Sequence, residues 1–164
     1  MAELGRFQKL AAKMQRHARI ASAAVPESVV IRELAPIRHL VGSRLLAEMG
    51  EALKSNCRLI DFAFRYGGDE FVILLPQTSK ENAINVARRL HRLIRETVWL
   101  QKEALNIKVT PSVGLAAYPV DSRTKEGLLH LADEAMYLVK NTDRDNVAAA
   151  NMGILPVASS EAAG

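Results

Sequence analysis

The spacing of apolar residues along the chain alternates between helical and strand-like stretches. From about Glu3 to Ala21, Phe7, Leu10, Met14, Ala18 and Ala21 recur at three- and four-residue intervals among basic residues, which predicts an amphipathic helix. Pro26 interrupts it, and Ser28-Val29-Val30-Ile31 reads as a β-branched strand continuing through Arg32-Glu33-Leu34 until Pro36. A second helix is expected from about Leu40 to Ser55, with Leu45, Leu46, Met49 and Leu53 inward. Phe62 to Tyr66 and Phe71 to Leu75 are strand-length runs on either side of Gly67-Gly68, the pattern of a tight hairpin whose turn needs positive φ. The second run is apolar at every position, so it is expected to be central and covered on both faces.

Thr78-Ser79-Lys80-Glu81 reads as a capping box opening a helix with an apolar stripe of Ala83, Val86, Ala87, Leu90 and Ile94. A strand from Val109 to Tyr118, a helix from about Arg123 to Asn141 and a short strand at Val147 complete the pattern. One domain is expected over residues 1–150, of which 1–25 are a leading helix and connector. Residues 151–164, small and polar without periodicity, are expected to be a poorly ordered tail. The element order implies an α+β domain with a mainly antiparallel sheet flanked by helices.

Charge and cysteine content narrow the function. The net charge of +4 favours an anionic ligand, but Lys and Arg are scattered, without the basic tract or interleaved aromatics of a nucleic-acid binder. A single cysteine, Cys57, excludes an internal disulfide and fits a reducing compartment. No apolar stretch reaches membrane-spanning length and the N-terminus lacks a signal-peptide core, so a cytoplasmic domain is expected. The four histidines show no metal-ligand spacing.

Arg65-Tyr66-Gly67-Gly68-Asp69-Glu70-Phe71 carries the chemistry. Two adjacent carboxylates behind a glycine turn suit a hard cation such as Mg²⁺, which takes oxygen ligands and bridges to phosphates; a solvated hairpin end is the competing reading. The pentapeptide resembles the signature of the GGDEF family, the diguanylate cyclases. Val113-Gly114-Leu115-Ala116 with Tyr118-Pro119, and Ala132-Asp133-Glu134-Ala135-Met136-Tyr137 with Lys140, resemble that family's last strand and helix. The resemblance spans about Phe7 to Val147 and implies a βαββαβ palm like that of adenylyl cyclases and polymerases.

It further implies condensation of two GTP into cyclic di-GMP by paired protomers, with Mg²⁺ as cofactor and catalysis by positioning and charge neutralisation. On that pattern Gly67 and Gly68 admit the phosphates, Asp69 and Glu70 hold metal, Glu70 helps activate the hydroxyl, and Lys140 and Arg144 contact the triphosphate. The family's Asp-x-Asp-x-Phe-Lys-x-x-Asn-Asp segment is altered and shortened here. Glu33 falls where the metal aspartate belongs, as ligand or as ordinary strand-end glutamate; the guanine-binding asparagine has no counterpart, and Ser43 replaces an aspartate. These losses predict weak GTP binding, since an unpaired buried base edge costs roughly 1–3 kcal/mol per group.

Arg58-Leu59-Ile60-Asp61, with its aspartate six residues before Gly67, resembles the family's RxxD inhibitory site for cyclic di-GMP, and Arg89 matches the arginine that completes it. Arginine donates in a fork to phosphate or guanine, and aspartate accepts from guanine N1 and N2; a surface ion pair is the plainer reading. Three functions stand: a cyclic di-GMP-binding signalling domain with impaired cyclase activity, an active cyclase with product feedback, and a structural or dimerisation module. The family also implies a homodimer and an upstream sensory or receiver domain.

Overall fold

The computed structural model describes residues 19–24, 37–67, 69–142 and 144–156. Three helices, α1 (Ile37–Ser55), α2 (Lys80–Glu96) and α3 (Lys125–Lys140), pack on a sheet of six strands. The strands are β1 (Arg19–Ala24), β2 (Phe62–Gly67), β3 (Glu70–Leu74), β4 (Ser112–Ala117), β5 (Asn146–Ala149) and β6 (Gly153–Leu155), in the spatial order β2-β3-β1-β4-β5-β6. Every neighbouring pair is antiparallel except β4 with β5. This is the α+β, largely antiparallel architecture that the element order implies.

β3 is buried along four of its five residues, and its side chains alternate between two cores. Phe71 and Ile73 join Leu45, Met49 and Leu53 of α1 and Ala87, Leu90 and Ile94 of α2 on one face. Val72 and Leu74 join Ala116 of β4 and Leu128 and Ala132 of α3 on the other. The unbroken apolar run therefore reflects a strand covered twice. α3 lies close to β4 because Gly114 has no side chain; a Cβ there would collide with the Ala132 carbonyl oxygen and the Met136 amide, and would lie 2.8 Å from the Met136 Cβ.

Several expectations are corrected. The first described strand is β1 at Arg19–Ala24, so the C-terminal end of the helix expected over Glu3 to Ala21 is strand; its antiparallel pairing to both β3 and β4 outweighs the helical spacing. The rest of that helix, the strand expected at 28–34 and Glu33 lie outside the described residues. Gly153–Leu155 pairs with β5 as an edge strand inside the stretch expected to be an unordered tail, because the two strands are joined by a turn at Asn151, which adopts φ of 61°. The cap of α2 is Ser79, whose side chain accepts from the Asn82 amide; neither Thr78 nor Glu81 takes part in that bond.

Buried charge ties distant segments together. Lys80, in the first turn of α2, donates to Asp121 Oδ1 at 2.6 Å and to the Ala150 carbonyl at 2.7 Å, while the Ala117 amide donates to Asp121 Oδ2 at 2.7 Å. His91 of α2 is 1% exposed, with Nε2 2.9 Å from Asp145 Oδ1, and Arg95 meets the other Asp145 oxygen at 3.0 Å. Neither ring nitrogen of His91 makes a hydrogen bond among the described residues, so the contact with Asp145 is one of charge proximity. Burial lowers the His91 pKa from 6.5 despite the opposing pull of Asp145.

Two outcomes follow from this packing. Gly114→Ala should destabilise the domain by about 3 kcal/mol, the upper part of the range for overpacking, read as a fall in the urea midpoint. Because the folded domain holds His91 below 6.5, the unfolded chain binds more protons just below that pH. The His91 contribution to stability is therefore complete above 6.5 and lost as pH falls below it. The melting temperature should drop on acidification below 6.5, and His91→Leu should flatten that part of the profile.

Candidate functional site: two ends of one hairpin

Tyr66 forms a bulge between the Arg65–Phe71 and Gly67–Glu70 pairs, so Gly67 ends β2 and the two residues between it and Glu70 are 68 and 69. The turn is thus one residue further on than a Gly67-Gly68 tip. Glu70 opens β3, and its Oε1 lies 3.9 Å from Lys140 Nζ at the C-terminal end of α3. Arg144, at φ of 55°, folds back on that helix end: its amide donates to the Val139 carbonyl and its Nε donates to the Lys140 carbonyl at 3.1 Å. Glu70 and Lys140 thus meet at the closed end of the hairpin next to Asp69, while Arg144 folds onto the end of α3, where both cations complement the helix dipole.

Asp69 and Glu70 are oxygen donors of the kind that Mg²⁺ takes. Across the sheet, however, Glu70 is paired in register with Ala24, and Phe71 with Ala23, so the end of β1 that adjoins the carboxylates brings none of its own. Among the described residues no three His, Cys, Asp or Glu side chains come together to hold a metal. Asp69 and Glu70 are thus the two carboxylates offered at the hairpin end, a set that would leave the rest of a Mg²⁺ shell to phosphate oxygens and water.

Beside the hairpin, a cleft of about 310 Å³ opens between α1 and β2. Leu46 and Phe71 give it an apolar wall, and Ser43, Lys54 and Arg65 contribute polar groups. Ser43, the residue that stands for an aspartate in the guanine pattern, lines this cleft.

The open end of the hairpin carries the second constellation. Arg58 is held on one edge by Asp61: Nε donates to Oδ2 at 3.2 Å and Nη2 to Oδ1 at 2.9 Å, and the Arg58 amide also donates to Oδ2. Nη2 donates as well to the Pro76 carbonyl at 3.2 Å and the Thr78 hydroxyl at 2.6 Å, just past β3. The Asp61 side chain is 2% exposed while that of Arg58 is half exposed. The resemblance gives Asp61 the task of accepting from guanine; in the free domain both of its oxygens already accept from Arg58. Its hydrogen bond raises the Arg58 pKa.

Arg89 reaches the same turn from α2, donating from Nη2 to the Asn56 carbonyl at 2.8 Å. Between the two arginines, Cys57 is half-buried; burial and then Asp61 push its thiol pKa up, with Arg89 and Arg58 pulling the other way. Leu59, at the turn's outer corner, is fully exposed. Thr78 had no signal in the sequence beyond its apparent place in a helix cap, and its contact with Arg58 spans twenty residues.

The mixed sheet thus sets paired carboxylates at one hairpin end with basic side chains beside them. The chain matches the family model described as diguanylate cyclase, GGDEF domain, over residues 38–146. This chain belongs to the GGDEF-domain family. It is 38% identical to the response regulator PleD of Caulobacter vibrioides over 112 residues, which are 66% of this chain and 24% of that protein. The chain therefore spans about a quarter of the length of that relative.

An EAL/GGDEF domain protein from M. capsulatus has a similar structure, with a TM-score of 0.74 at 30% identity, over 89% of this chain and 94% of that one. The GGDEF domain of DgcB from Caulobacter crescentus, solved in complex with c-di-GMP, shares the fold, with a TM-score of 0.71 at 22% identity over 91% and 86% of the two chains. No helix among the described residues is long and apolar enough to cross a membrane.

The register of β1 predicts that Mg²⁺ at millimolar concentration will give no saturable heat on titration into the protein. A saturable signal lost in both Glu70→Gln and Glu33→Ala would show instead that Glu33 completes the site.

Proposed function

We propose that this domain is a cyclic di-GMP receptor, binding the dinucleotide through Arg58 and Arg89 with Asp61 in support, and that its cyclase centre is impaired. The observation that carries this reading is the convergence of both arginines on the turn at Asn56 to Asp61, where Arg58 is fixed in orientation yet half exposed. Two guanidinium groups on one solvent-facing turn suit a ligand with two phosphates and two purine edges. The DgcB domain of the same fold was solved with this ligand. The impaired centre is supported by the register of β1, with Ala23 and Ala24 opposite Phe71 and Glu70, and by Ser43 in the cleft.

An active cyclase is the second reading. It is favoured by the retained Asp69 and Glu70 with Lys140 nearby, and by a cleft of about 310 Å³ open to a purine. It requires GTP with Mg²⁺, a third metal ligand such as Glu33, and two protomers facing one another. A ligand cross-linking the Arg58 turn of one copy to Arg89 of a second would make the receptor a homodimer too. The basic patch has no part in the structural-module reading.

Titration calorimetry with cyclic di-GMP, run beside GTP plus Mg²⁺ with assay for product, separates these. The receptor reading expects cyclic di-GMP binding without product, and Arg58→Ala should weaken that binding by at least 100-fold, as expected on losing about 3 kcal/mol of charged hydrogen bonding. Product formation from GTP would overturn the impaired centre. Absence of binding to either nucleotide would leave the structural module.

A further inference from the structure

We propose that Thr78 is a positioning residue of the cyclic di-GMP site, fixing the plane of the Arg58 guanidinium from beneath; this rests on the receptor reading above. The Thr78 hydroxyl is buried, the residue being 4% exposed. It donates its own proton to the Pro76 carbonyl at 2.9 Å, which leaves its lone pairs to accept from Arg58 Nη2 at 2.6 Å.

The five N–H groups of Arg58 can then be assigned. Nε and one Nη2 proton go to Asp61. The other Nη2 proton goes to Thr78 and Pro76. Nη1 has no partner among the described residues, and its two donors are the ones left for a ligand.

The position of Thr78 makes this arrangement one-sided. Asp61 grips the guanidinium along its Nε edge, but the Arg58 side chain is half exposed and a grip on one edge leaves the opposite side of the group without a fixed point. Thr78 is twenty residues away, held at the start of α2, where Ser79 caps the helix that carries Arg89. A hydrogen bond from Arg58 to this fixed point sets the first arginine relative to the second. The ligand then meets two cations whose spacing is already established, and less side-chain freedom is lost on binding.

The same contacts close both edges that a forked base contact would use. The Nε/Nη2 edge lies on Asp61, and one half of the Nη1/Nη2 edge lies on Thr78. As held, Arg58 offers Nη1 and its planar face, which suit a phosphate oxygen or a stacked purine rather than a bidentate base edge.

The test compares the full chain with Thr78→Val, Thr78→Ser, Ser79→Ala and Arg58→Ala, using cyclic di-GMP calorimetry and thermal melts. Valine keeps the shape and removes the acceptor. It should weaken binding by about 3- to 10-fold, the loss of one modest positioning hydrogen bond, with serine restoring wild-type affinity. Ser79→Ala removes the helix cap without touching Arg58, so it should lower the melting temperature and leave affinity unchanged.

Independently of ligand, ¹⁵N spectra of the Arg58 guanidinium should show slowed rotation and solvent exchange of the Nη2 protons in wild type. Both should be fast in Thr78→Val. Unchanged spectra and affinity in Thr78→Val, with binding still lost in Arg58→Ala, would overturn the role of Thr78 alone. Equal weakening by Ser79→Ala would reduce it to general stability. Undiminished binding in Arg58→Ala would overturn the receptor site itself.

Discussion

The close contact of α3 with β4 over Gly114 governs where the charged residues fall. With no side chain at that position, the backbone of Ala132 and Met136 rests directly on the strand. The axis of α3 is thereby fixed along the sheet, and its last residue, Lys140, arrives within 3.9 Å of Glu70 on β3, two strands from β4. Any residue larger than glycine must lift the helix or bend the strand. A displacement there is carried to the helix end, because the interior transmits strain rather than absorbing it. The charged rim at the closed end of the hairpin is in this sense set by packing in the middle of α3.

The β2–β3 hairpin relates the two constellations. Its closed end presents Asp69 and Glu70, and its open end abuts Asp61 and the Pro76–Thr78 segment that hold Arg58. Five residues of β3 separate the ends, a span of about 17 Å at the usual rise per residue. The strand is packed on both faces, so it is a rigid spacer. A ligand at the open end acts on the closed end only by shifting the hairpin as a body or by holding two copies in a fixed relation.

Much of this could be read from the sequence where the signal was local. The two-sided run of β3, the hairpin, the helix of Lys80–Glu96 and the carboxylate pair each follow from neighbouring residues, and the family resemblance followed from the signature. What escaped depends on partners distant in the chain. Lys80, which the sequence places only within a capping box, is buried against Asp121 forty-one positions later. Thr78 seemed part of the same cap. β1 was obscured because its alanines carry little strand preference and are defined by the two strands they pair with. β6 lay in a stretch without periodicity and exists only as a complement to β5.

The balance of charges explains why intact carboxylates at the hairpin tip do not by themselves imply a metal. The Glu70–Lys140 pair is partly exposed and long, worth at most about 1 kcal/mol, so the fold does not depend on it. The Lys80–Asp121 pair is different: it is buried and fully hydrogen-bonded, and losing one partner there costs about 3–5 kcal/mol. Glu70 is therefore free of structural duty, and what it binds is decided by the groups around it. A Mg²⁺ ion held by two carboxylates takes its remaining oxygens from phosphate or water, and the adjoining strand end, at Ala23 and Ala24, adds no carboxylate to them. The Lys140 ammonium already meets the carboxylate without the stringent geometry that Mg²⁺ demands. At the other end of the hairpin the imbalance runs the opposite way, with two guanidinium groups and one buried carboxylate on a single turn. The excess positive charge faces solvent there, so the field at that end favours an anion.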